Sequence, residues 1–115
     1  MTIKEFVEKY NLHDSLLESI NYDKNNRKAT LSIDFCYWQQ EDYEETLSET
    51  GMVLIEFDDV ISLNYKHFPI NSDEIVEVSS KDDEITLSVF SEIINDNINI
   101  VIKAKNVTVS ELQER

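Results

Sequence analysis

The chain has 115 residues, 24 acids against 10 bases and a formal net charge of −14, which fits one domain with one core. An apolar fraction of 41% is enough to bury such a core, so global disorder is not expected despite the charge. The charge also excludes nucleic-acid and anionic-membrane binding as expectations, because phosphate contacts need clustered Lys and Arg.

Thr2-Ile3-Lys4-Glu5 opens with a capping-box pattern: the Thr2 hydroxyl accepts from the Glu5 N–H, and the Glu5 carboxylate reaches back to the Thr2 N–H. Ile3, Phe6, Val7 and Tyr10 then fall at i, i+3, i+4 and i+7, one apolar helical face. Asn11 is the expected left-handed terminator. A helix of about nine residues is marginal alone, so its stripe is expected to lie on a sheet.

Leu12-His13-Asp14-Ser15 reads as a turn. A first strand follows near residues 15–23, with Leu16, Ile20 and Tyr22 on one face. Asp23 to Arg27 is polar turn chemistry. Lys28 to Trp38 alternates strongly, placing Ala29, Leu31, Ile33, Phe35 and Tyr37 on one face and Trp38 on the other. These two strands form a predicted hairpin. Gln39 to Thr50 is an acidic connection, either a loop or a short helix through Tyr43 and Leu47.

Met52 to Phe57 is apolar on both faces, the pattern of a central strand. Asp58-Asp59 interrupts it before Val60 to Tyr65 resumes. The doublet is either a bulge or bend in one long strand or the turn between two. Further strands are expected at Ile75–Ser79, around Ile85, Leu87 and Val89, and from Ile98 through Ala104 toward Val109. Short turns between consecutive strands favour antiparallel pairing. The expected fold is α+β: one short N-terminal helix on a curved, mostly antiparallel meander sheet of six or seven strands, with partial closure allowed. A β-sandwich is the competing architecture.

The most acidic stretch is Ala29–Tyr65. It holds Asp34, Glu41, Asp42, Glu44, Glu45, Glu49, Glu56, Asp58 and Asp59, no Lys or Arg, and the chain's single Trp, Cys and Gly. Aromatic anchors ringed by like charge suit a protein interface, and a negative field steers a basic partner. The candidate partner-binding residues are Trp38, Glu41, Asp42, Tyr43, Glu44, Glu45, Glu49, Asp58 and Asp59. Trp38 is the favoured anchor, because Tyr37 shares the apolar face of its strand. The competing reading of the same acids is a solvated face that confers solubility.

Other chemistries have less behind them. A metal- or ligand-binding, enzyme-like domain would need His13, Asp14 and His67 to converge. Neighbours in a strand point to opposite faces, which makes His13-Asp14 a poor bidentate pair there. Cys36 lacks a helix N-terminus or base beside it, so it is expected to pack. Glu41 to Glu45 lacks the alternating spacing of a calcium loop. No catalytic residue, metal or cofactor is assigned. No apolar run approaches the ~20 residues that span a bilayer, and nothing resembles a signal peptide; a cytosolic protein is expected.

Leu12-His13-Asp14-Ser15 leading into a strand, together with Phe57-Asp58-Asp59-Val60 after a long apolar strand, resembles small bacterial α+β proteins grouped as immunity proteins of polymorphic or contact-dependent toxin systems. The matching elements are residues 12–35 and 52–65. The resemblance implies a cytosolic, non-enzymatic inhibitor of a cognate toxin, with an acidic surface meeting a basic cleft of the nuclease type. It assigns no contact residue.

Overall fold

The computed structural model describes residues 1–36, 50–64, 70 and 72–111, without the side chains of Cys36, Thr50 and Glu111. Among these residues one helix, α1 (Ile3–Lys9), is followed by six strands: β1 (Leu16–Asp23), β2 (Lys28–Cys36), β3 (Thr50–Asn64), β4 (Asp73–Lys81), β5 (Glu84–Ser91) and β6 (Asp96–Glu111). Every strand pairing is antiparallel. The order β1-β2-β3-β6-β5-β4 closes on itself as a barrel, so the elements form one sheet and not the two of a sandwich.

Alternation decides which residues fill the barrel. Ala29, Leu31, Ile33 and Phe35 of β2 are buried, as are Ile85, Leu87 and Val89 of β5 and Ile98, Ile100, Ile102 and Ala104 of β6. On β1 the buried residue is Leu17, not Leu16. The register shifts between Leu17 and Ser19, and this bulge lets Leu17, Ile20 and Tyr22 share the inner side. A strict two-residue period could not place them together.

The Asp58-Asp59 doublet is a bend within one strand. Phe57 and Val60 are both buried, at 1% and 2% exposure, although residues three apart on a flat strand face opposite sides. Asp59 takes φ 53°, which turns the strand so that both side chains point inward. Ala104 and Val107 opposite show the same spacing and are both fully buried.

The capping box on α1 is complete: the Thr2 N–H donates to Glu5 Oε1 at 2.8 Å and the Glu5 N–H to Thr2 Oγ1 at 3.1 Å. The helix ends just before the expected terminator. Tyr10 is the extended C-cap, and Asn11 instead accepts the His13 N–H on its side chain, 3.0 Å, an Asx turn. Ile3 and Phe6 are each 1% exposed. Phe6 meets Phe57 edge-on at 6.4 Å, and Tyr10 meets Phe35 at 6.1 Å. The helix is thus held by the aromatic end of the barrel core, which supplies the stability that seven helical residues lack alone. Its start is tied to β6 by the Val107 N–H donating to the Met1 carbonyl, 2.7 Å. Among the described residues, no helix is long and apolar enough to cross a membrane.

Candidate functional site

The acidic connection joins two strand ends that already pair. Cys36 stands opposite Thr50 in the β2–β3 ladder, next to Phe35 opposite Gly51. A loop of about two to five residues suffices for such a hairpin. The chain instead places residues 37–49 there, with Glu41, Asp42, Glu44, Glu45 and Glu49 and no base. Trp38, Tyr43 and these five carboxylates lie outside the described residues. So does His67.

Asp58 and Asp59 are described, and the fold gives each a cationic neighbour. Arg27 Nη2 lies 3.4 Å from Asp59 Oδ1, and Lys28 Nζ lies 3.4 Å from Glu56 and 3.7 Å from Asp58. The turn between β1 and β2 brings them there: the Val60 N–H donates to the Arg27 carbonyl at 2.9 Å, docking the turn on the bend of β3. The hydrogen bond to Glu56, then the charges of Glu56 and Asp58, raise the Lys28 pKa above its ordinary value. The stretch from Ala29 to Tyr65 lacks a base in sequence, but Arg27 and Lys28 immediately before it offset its second acidic cluster in space. Periodicity gave no sign of this pairing; only the hairpin register reveals it.

His13 and Asp14 do meet. His13 Nδ1 is 3.3 Å from Asp14 Oδ1. The expectation that neighbours diverge holds for a strand, whereas here Asp14 takes φ 69° and the turn swings both side chains to one side. The imidazole is 56% exposed and the carboxylate 35%, so both reach solvent. Among the described residues no group of three metal-ligating side chains converges.

His13 also lines a groove of about 420 Å³ between the end of α1 and β4. Val7, Tyr10, Leu12 and Val78 supply apolar lining, and Glu8 and Glu77 supply carboxylates. Lys9 lies over the Tyr10 ring, 5.4 Å from its centroid. From sequence the helical stripe is expected to lie on a sheet, with docking of a partner as its other reading; Val7 and Tyr10 are partly buried against the core and also line this groove. The groove has no local signature, because it depends on where β4 passes beneath the helix.

Compared with protein-family models, with curated proteins and with solved structures, the chain matches none.

Proposed function

We propose that this chain is a non-enzymatic binding protein that neutralises a basic protein partner, in the manner of an immunity-type inhibitor of a toxin. The observation behind this reading is the Cys36–Thr50 pairing. A tight turn would satisfy that register, yet the chain carries residues 37–49 between the two strand ends, with five carboxylates, Tyr43 and Trp38. Connections longer than their strands require are where binding residues concentrate. Glu41, Asp42, Glu44, Glu45 and Glu49 steer the partner, and Trp38 and Tyr43 anchor it. Asp58 and Asp59 contribute less, because Lys28 and Arg27 already offset them. A cytosolic location belongs to the same proposal.

The test is capture of a basic protein by the tagged full chain from cells of its source, identified by mass spectrometry, with binding then measured on the purified pair. Replacing Glu41, Asp42, Glu44 and Glu45 by Gln or Asn should slow association and flatten its salt dependence, while Trp38→Ala should speed dissociation by about tenfold or more. Unchanged affinity and unchanged salt dependence in the neutralised variant would overturn the reading. For a toxin partner, co-expression with this chain should also restore growth.

A further inference from the structure

The seam that closes the barrel is short. It consists of Leu16 and Leu17 opposite Glu74 and Asp73, extended by the Asp14 and Ser15 backbone bonding to Ile75. Beyond Ile75, β4 continues to Lys81 with β5 on one side and no strand on the other among the described residues. The positive φ of Asp14 peels the preceding chain away from β4 at this point. The groove is the space left between them.

The ladder phase identifies the exposed backbone groups. Asp82 and Asp83 form the turn that closes on Lys81 opposite Glu84, a hydrogen-bonded pair in a two-residue hairpin. Opposed pairs then alternate. Ser79 therefore bonds to Thr86, whereas Val78 and Ser80 aim their N–H and C=O groups away from β5. Ile75, across the bulge at Val76, points the same way and donates to the Ser15 carbonyl at 2.8 Å. Among the described residues no backbone hydrogen bond runs from α1 to this edge.

We propose that the Val76–Lys81 edge of β4 takes an extended segment of a basic partner protein as an added strand. The alternation of the edge sets the chemistry of that segment. Its inward side chains rest on Val7, Tyr10 and Val78, and its outward ones meet Glu8 and Glu77; Lys9, held over Tyr10, and Lys81 balance these two acids locally, so the preference for Lys or Arg alternating with apolar residues comes from the net charge of −14. A second copy of this chain fits poorly: its net charge of −14 opposes association, and edge pairing would bring Glu77 toward its own kind. The basic character of the occupant rests on the function proposed above; the strand addition rests on the edge alone.

The probe is a fluorescent peptide of about nine residues alternating Val and Lys, titrated against the full chain by anisotropy. Two versions carry N-methyl groups at every second residue, one in each register, with charge and side chains unchanged. One register should lose affinity by about tenfold or more and the other should bind like the parent, because an added strand uses alternate N–H groups. Val78→Pro removes an edge donor without touching the β5 ladder and should weaken the parent peptide similarly, with far-UV circular dichroism confirming the fold. Glu77→Lys, which leaves the backbone intact, should weaken the Val/Lys peptide and strengthen a Val/Glu one. Equal binding of parent and both methylated peptides would overturn strand addition, and a dimer of this chain that Val78→Pro dissociates would overturn the basic partner as the occupant. The variant neutralised at Glu41, Asp42, Glu44 and Glu45 should keep the register discrimination, so failure of the acidic-connection reading appears in partner capture and failure of strand addition in this titration.

Discussion

The Ile75 amide donates to the Ser15 carbonyl at 2.8 Å, and at that bond the β1–β4 seam ends. Below it the sheet is closed by Leu16 and Leu17; above it β4 runs on beside α1. One short junction therefore both closes the barrel and leaves an edge beside the groove. The Ile75 side chain is fully buried, so closure is held by packing as much as by the ladder.

Phe6 joins the helix to the barrel core. It is 1% exposed and touches both Tyr10 and Phe57. Phe6→Ala should cost about 3–5 kcal/mol of stability, read as a fall in the urea midpoint, and should loosen α1, whose buried residues are Phe6 and Ile3. Wild-type stability in this variant would contradict the packing.

Asp59 holds a positive φ of 53°, a conformation that costs a side chain with branching at Cβ more than it costs glycine. Asp59→Val should lower stability by about 1–2 kcal/mol, whereas Asp59→Gly should leave it equal or higher. Calorimetry of the two variants checks the order. Both substitutions also remove the ion pair with Arg27, whose two side chains are 63% and 55% exposed, and a pair so exposed counts for little.

Ser91 is fully buried, and its hydroxyl has no hydrogen-bond partner among the described residues. Removing a polar atom that is buried without a partner relieves its desolvation penalty. Ser91→Ala should therefore raise stability by about 1 kcal/mol. A clear loss in chemical denaturation would mean that the hydroxyl is bonded in solution.

Two surface groups give the pH profile opposite slopes at its two ends. Glu5 has its pKa lowered from 4.5 by the Thr2 backbone N–H and then the Thr2 hydroxyl; its contribution is complete above the unfolded value and is lost as pH falls through the folded one. Lys28 has its pKa raised from 10.5 by Glu56 first, so its contribution is complete below 10.5 and is lost as pH rises through the folded value. Glu5→Gln should flatten part of the acid decline and Lys28→Met part of the alkaline one, measured as denaturation midpoints against pH.

Much of the fold is legible locally. The capping box at Thr2 and Glu5 follows from two side chains three residues apart. The inner faces of β2 and β5, and of β6 from Ile98 to Ala104, follow from a period of two. Leu17 was hidden because the bulge after it breaks that period, and Asn11 because its side chain found the His13 amide before its backbone turned left-handed. The seven-strand count has no support among the described residues, which hold six. Of the candidate interface, Asp58 and Asp59 can be placed, and their cationic neighbours come from the preceding hairpin.

The amino-acid sequence by itself determined the element types, the acidic character and most of the residues that fill the core, because propensity, capping and alternation act over a few neighbouring residues. Only the tertiary structure decided that Asp58-Asp59 bends one strand, that β1 meets β4 for so short a stretch, and that His13 and Asp14 face one way. Those features depend on register and on left-handed backbone positions. Both are selected by contacts between residues far apart in the chain, which no local pattern encodes.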